Sequence, residues 1–252
     1  MEKGYVHTSL ENGLATIEFG HPSSNALPGN ILSQLAETID QFGLNTECKV
    51  ILLKSAGTRA FCAGASFDEL IAIENMEDGN IFFSGFAKVI NACRTCSKLI
   101  IGRIHGKAVG GGVGIASAVD YAFATDAASV KLSELAVGIG PFVVGPAVER
   151  KIGLSAMSDL AINASEWRSA KWAESKGLFM QVFETSELMD EAIAKLIGKL
   201  SKSNPEAMKH LKEVFWKGTE DWDALLADRA KISGTLVLSD FTRNAIQAFK
   251  KS

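Results

Sequence analysis

Three segments of this 252-residue chain carry residue types and spacings that could do chemistry. The first is Arg59-Ala-Phe-Cys-Ala-Gly-Ala-Ser66, a run of small residues after a strand-like stretch. Small side chains let a backbone approach a ligand closely, although any tight loop has the same composition. The second is His105-Gly-Lys-Ala-Val-Gly-Gly-Gly-Val-Gly114. A glycine inside a helix costs roughly 1 kcal/mol relative to alanine, so a triplet at a helix start calls for compensation. Backbone N–H groups there are unpaired and the helix dipole favours negative charge, so glycines would let an oxygen reach them. Close helix–strand packing is the competing explanation. The spacing Gly110-Gly-Gly-Val-Gly114 breaks a dinucleotide fingerprint, and Ala108 after Gly106-Lys107 breaks a Walker loop. The third segment is Ser133-Glu134-Leu-Ala-Val-Gly138-Ile-Gly-Pro141. A carboxylate in apolar surroundings has a raised pKa and can trade protons near neutrality. Composition leaves this level with a second reading, in which Glu134 opens a helix capped by Ser133.

The elements that must position these segments follow from periodicity. Tyr5–Leu10 and Leu14–Phe19 read as a hairpin around Asn12-Gly13. Ile31, Leu35, Ile39 and Phe42 mark one helix face, and Val50–Leu53 is a buried strand. A helix is predicted over roughly 80–97, a strand over Leu99–Ile104, and a glycine-opened helix over 110–118. Tyr121–Thr125 and Ser129–Leu132 read as strands. Helices and strands therefore alternate, the pattern of an α/β fold with parallel sheet. From Leu188 to Phe249 the periodicity is helical throughout, with Asn204-Pro205 as a helix start. Two regions are expected: an α/β core over 1–187 and a helical region over 188–252.

Composition narrows the function classes. Hydrophobic residues make up 47% and charged residues 22%, which excludes a disordered chain. A net charge of −3 without a basic stripe argues against nucleic-acid binding. No apolar run reaches the ~20 residues of a membrane span, and Met1–Tyr5 opens no signal-peptide core, so a cytoplasmic protein is expected. Four cysteines make no disulfide scaffold. Cys93 and Cys96 form a lone C-x-x-C, and a four-cysteine zinc site would need a second pair. Cys93 instead continues the apolar series Phe86, Val89, Ile90 at helical spacing, which predicts core packing. His7, His21 and His210 lie outside the motifs, His105 is expected to fix a turn by hydrogen bonding, and the four tryptophans read as packing or subunit contacts.

Taken in order, Ser24-Asn-Ala-Leu27, Ala60-Phe-Cys-Ala-Gly-Ala65, the stretch from Ile104 through the glycines to Asp120, and Glu134 closely resemble the crotonases, the enoyl-CoA hydratase/isomerase superfamily. The resemblance covers essentially the whole chain. It implies a spiral of repeated ββα units with a C-terminal helical region that builds trimers or hexamers. It implies an acyl-CoA thioester substrate, no metal, and no cofactor beyond the coenzyme A of the substrate itself. By motif position, the N–H groups of Ala65 and Gly111 would form an oxyanion hole for a thioester enolate. Ala63 and Ala65 would line the adenine end of coenzyme A, and Ala26 and Leu27 the pantetheine.

The departures from the family pattern are informative. The hydratases of the family use two glutamates; here the first position is Gly114 and the second is Glu134. A glycine can neither orient water nor deliver a proton. The resemblance therefore implies a reaction needing one shuttling carboxylate, such as double-bond isomerisation, with hydration open if another group replaces the lost acid. Ser66 stands where the family often has Asp, and Asp68 or Glu69 could supply the acid or simply form a solvated face. Phe142, Val143 and Val144 bring bulk to a usually glycine-rich run, either shaping an acyl pocket or filling core. A non-catalytic acyl-CoA-binding or scaffolding subunit is the alternative of a different class, and retention of Glu134 counts against it.

Overall fold

The computed structural model of the chain describes residues 4–250, with side chains through residue 248. Met1–Lys3 and the side chain of Phe249, expected near a neighbour's coenzyme A site, lie outside the described residues. Strands β1 (Tyr5–Glu11) and β2 (Leu14–Gly20) pair antiparallel, with Glu11 opposite Leu14. Asn12 and Gly13 turn between them at φ 51° and 85°. Those two left-handed residues match the right-handed twist of the strands they join.

A short strand β3 (Ala26–Leu27) and helix α1 (Gly29–Leu44) follow. The chain then winds through one unit three times: a long strand, a short strand in another sheet, and a helix. The first turn is β4 (Val50–Ser55) and β5 (Ala60–Cys62); after β6 (Gly64–Ala65) and the short helix α2 (Phe67–Ile71) it closes with α3 (Met76–Thr95). The second is β7 (Leu99–Ile104), β8 (Lys107–Val109) and α4 (Gly111–Ala118). The third is β9 (Tyr121–Thr125), β10 (Ser129–Lys131), a 3-10 turn at Glu134–Val137 and α5 (Gly145–Ile162), which bends at Gly153. Then come β11 (Arg168–Ser169), α6 (Ala170–Ser175) and β12 (Gln181–Phe183). The chain finishes with α7 (Ser186–Leu200), α8 (Pro205–Phe215), α9 (Trp222–Val237) and α10 (Asp240–Lys250).

The long strands form one sheet in the order β1-β2-β4-β7-β9-β12, and the short ones a second, β11-β10-β8-β5; β3 pairs with β6. Every neighbour beyond the hairpin in the long sheet is parallel. Alternate residues explain why the long strands read as continuous apolar runs. Ile51, Leu53 and Ile100 join the core beneath α1 and α3, while Val50, Ile101 and Phe123 pack on Met189, Ile193 and Ile197 of α7. A sheet covered on both faces has no side left for polar residues.

The long elements that periodicity marked lie where it places them, but the 18-residue helix α5, bent at Gly153, is missed. The short strands β5, β8, β11 and β12 are missed, because two or three residues are too few for a period-two signal. Cys93 is fully buried in the core, and all four cysteines are free and buried. The helical tail folds partly onto its own chain. Gly79 of α3 meets Gly234 of α9 so closely that a Cβ at 79 would lie 2.9 Å from the Gly234 Cα. Trp216 and Trp222 are buried edge to face at 5.7 Å. Leu211, Val214 and Phe215 of α8 remain exposed. Among the described residues, no helix is long and apolar enough to cross a membrane.

Candidate active site

Glycines decide how closely the pieces of the site approach one another. Gly110 precedes α4 at φ 51°, a conformation that excludes ordinary side chains. Its N–H donates to the Lys131 carbonyl at 2.9 Å, which ties the helix start to β10 and so to the segment that leads into Glu134. A Cβ at Gly110 would lie 2.8 Å from Glu134 Oε1. The Glu134 carboxyl therefore rests directly against the start of α4. A Cβ at Gly64 would lie 3.2 Å from the Val109 carbonyl and 3.9 Å from the Gly111 nitrogen, so the loop before Ala65 reaches the same place.

Packing also accounts for two of the glycines. A Cβ at Gly111 would run into the Phe86 ring, and one at Gly112 into the Cys62 carbonyl. Close packing thus governs Gly111 and Gly112, and Gly110 is the one bent around the carboxylate. Gly111 is nonetheless the first residue of α4, where the N–H has no partner within the helix. Ser66 N–H donates to the Leu27 carbonyl at 3.0 Å. Alternate N–H groups of a strand point to opposite edges, so that of Ala65 points away from β3.

Glu134 opens the 3-10 turn, and Ser133 provides no side-chain cap. Its Oε2 is shielded from solvent and has no hydrogen-bond partner. Burial pushes this carboxyl up to about 7, against a small lowering by its own backbone N–H. A carboxyl with that pKa is divided between acid and base forms at neutral pH, the condition for moving protons both ways.

The position facing Gly114 is filled by carbon. A Cβ there would meet Val144 Cγ1 at 2.6 Å, with Ile90 Cδ1 at 3.5 Å. Val143 and Val144 belong to the core, while Phe142 is half-buried with its ring over Gly140. Asp68 and Glu69 are exposed on α2, and Glu69 Oε2 accepts the Gly29 N–H at 2.8 Å, capping α1. Ser66 caps α2 through the Glu69 N–H. Ala26 pairs with Gly64 and Leu27 with Ala65; the Leu27 side chain is wholly buried, and Ala63 links β5 to β6. Among the described residues, no three His, Cys, Asp or Glu side chains cluster as metal ligands would.

Two buried polar residues take roles that the sequence did not assign them. Asn25 is buried at φ 58°; its amide donates to the Ala56 and Ala60 carbonyls at 2.8 and 2.9 Å and its Oδ1 accepts the His21 N–H. It thereby fixes the walls of a 680 Å³ cavity lined by Tyr5, His21, Asn25, Thr58 and Arg59. A polar Ser-Ser-Asn run before an apolar pair was the available signal. His105 is the second. It is buried, its carbonyl accepts from Thr125 Oγ1, but neither ring nitrogen has a partner, so the side chain does not fix the turn as expected.

The repeated strand–strand–helix winding is that of the crotonase spiral. The chain belongs to the enoyl-CoA hydratase/isomerase family, whose model matches residues 9–250. It is 28% identical over 247 residues to a probable enoyl-CoA hydratase of Bacillus subtilis, covering 97% of this chain and 95% of that one. A carnitinyl-CoA dehydratase of Proteus mirabilis is 28% identical over 219 residues, 83% of this chain and 79% of its own. The crystal structure of an enoyl-CoA hydratase from Bacillus halodurans shares the fold, with a TM-score of 0.89 at 21% identity over 97% of this chain and 99% of that one.

Proposed function

We propose that the protein isomerises the double bond of an enoyl-CoA thioester with Glu134 as its single acid/base. The observation that carries this reading is the pairing of a Glu134 carboxyl whose Oε2 is shielded and has no partner with hydrocarbon opposite Gly114. Glu134 takes a proton from C2 of a 3-enoyl thioester, and the electrons move into the carbonyl to give a dienolate. The same carboxyl returns the proton at C4, and the double bond comes to rest between C2 and C3. The N–H groups of Ala65 and Gly111 hold the enolate oxygen, the kind of preorganised donor pair worth several kcal/mol. No cofactor takes part beyond the coenzyme A of the substrate. The cavity beside Asn25 and Arg59 lies one short strand upstream of Ala65 and has the size of a small-molecule site.

Hydration is the second reading, favoured by the names of the relatives; it needs a water held without a second carboxylate. A binding or scaffolding role leaves the shielded, partnerless Oε2 of Glu134 without a purpose. The test is turnover of paired 2-enoyl- and 3-enoyl-CoA thioesters. Isomerisation predicts interconversion of the two without 3-hydroxyacyl product, and accumulation of that product overturns it. Assembly as a trimer or a dimer of trimers belongs to the same reading. It is supported by the exposed Leu211, Val214 and Phe215 on one face of α8. Sedimentation at micromolar concentration should give three or six times the 26.9 kDa chain mass.

A further inference from the structure

The turn that carries Glu134 is held from the far end of the chain. Its glycine, Gly138, takes the left-handed conformation at φ 81°, and the Ile139 N–H closes the turn on the Glu134 carbonyl at 3.0 Å. The Gly138 carbonyl accepts the hydroxyl of Thr242, in α10, at 3.1 Å. Thr242 is fully buried, and a Cβ at Gly138 would lie 2.6 Å from both Thr242 Oγ1 and Phe241 Cδ1. Ser239 Oγ sits 3.1 Å from the Thr242 hydroxyl and accepts the Thr242 N–H. Beyond this contact, Ile246 and Val237 of the tail pack with Ile139 and Val137 of the turn and Ile73, after α2, in a small apolar cluster of its own.

We propose that Thr242 is a positioning residue for Glu134: its hydroxyl clamps the Gly138 carbonyl, so α10 holds the Glu134 turn against α4 and keeps water from the carboxyl. The inference rests on the single-carboxylate reading above. Without the hydroxyl, a part-buried carbonyl loses its partner and the turn can swing toward solvent, since an acceptor shielded from water without a partner is costly. Dryness is what raises the Glu134 carboxyl. No charged side chain, whether Asp68 or Glu69 of α2, Lys131 of β10, or Asp240 or Arg243 of α10, is among the influences on it.

The experiment compares Thr242→Val, which keeps the shape and removes the hydroxyl, with Thr242→Ser, which keeps the hydroxyl. Carboxyl titration of Glu134 is read by difference infrared spectroscopy against Glu134→Gln, alongside kcat and KM across pH. In Thr242→Val the carboxyl should titrate about half a pH unit or more lower, because a wetter carboxylate is easier to form. Its kcat should fall about tenfold with KM little changed, since misplacement costs rate more than binding. Thr242→Ser should restore both. Unchanged titration in a folded Thr242→Val, or a Thr242→Ser that behaves like Thr242→Val, overturns the clamp. If Thr242→Val does not fold, Ser239→Ala, which loosens the same hydroxyl, must shift the titration in the same direction or the clamp is wrong. Glu134→Gln with full turnover overturns the single-carboxylate reading instead, and leaves the infrared result to judge the clamp.

Discussion

Two buried carboxylates sit at opposite ends of α4, and they differ in what satisfies them. Asp120 follows the C-terminus of the helix. Its Oδ2 accepts from Lys212 Nζ at 2.9 Å and from the Ile100 N–H at 2.7 Å, and its Oδ1 from Trp216 Nε1 at 3.0 Å. Lys151 Nζ donates to its carbonyl at 3.0 Å. An acid beyond a helix C-terminus faces the wrong end of the dipole, and these two lysines offset that. Glu134 lies against the N-terminal end, roughly 12 Å away along the eight-residue helix. Its Oε2 has no partner at all. The saturated carboxylate latches α8 of the tail to β7. The unsaturated one has an oxygen that no hydrogen bond holds. Both carboxyls hold oxygens shielded from solvent, so the count of partners is what distinguishes the two acids.

The contrast can be broken most severely at Glu134. Glu134→Gln should lower turnover by about 100-fold or more, the share of a positioned acid/base. Thioester binding, read by calorimetry, should survive. Near native turnover would remove Glu134 from the mechanism. At the other end, Lys212→Met leaves Asp120 buried without its cation. Chemical denaturation should show a loss of about 3 kcal/mol, the low end for a broken buried pair. The residual folded enzyme should keep its pH–rate profile, and a shifted profile would mean that Asp120 is not purely structural.

The two acids also call for opposite effects on stability. The folded-state pKa of Glu134, about 7, lies above its ordinary 4.5. The folded chain therefore binds this proton more tightly, and the stability it contributes is full below pH 4.5 and lost as pH rises through about 7. Glu134→Gln removes that loss, so its melting temperature should rise relative to the native protein above pH 7, where Lys212→Met should melt lower. Turnover should lose its base form below about 7, falling tenfold per pH unit on the acid side. A flat profile from pH 5 to 8 would contradict the free carboxyl.

Smaller effects sharpen the picture between the two ends. Gly114→Ala places a methyl on Val144 and should cost about 1–3 kcal/mol by overpacking. Gly114→Ala with Val144→Ala should recover part of that, and a purely additive double-mutant cycle would deny the contact. His105 carries two partnerless buried ring nitrogens, and burial lowers its pKa in the fold. Its contribution is present above its ordinary 6.5 and is lost as pH falls below that value. His105→Leu should flatten this acid slope in melting temperature without altering turnover at neutral pH.

The sequence by itself determined the α/β alternation, the hairpin at Asn12-Gly13, the helical tail and the family, because long elements repeat their apolar pattern over many residues. It also singled out Glu134 and the glycine triplet, since unusual composition survives without coordinates. It left Glu134 level between a helix cap and an acid, and only the fold decided that Oε2 has no partner. That is a property of what surrounds an atom, and no spacing along the chain encodes it. The same holds for Val144 filling the space at Gly114, thirty residues away in the chain. It holds for Glu69 spent on capping α1 and for His105 left without a hydrogen bond. Thr242 is the extreme case: a threonine in a helix carries no signal, and it acquires one only where the chain's last helix meets the turn of Glu134, 104 residues earlier at Gly138.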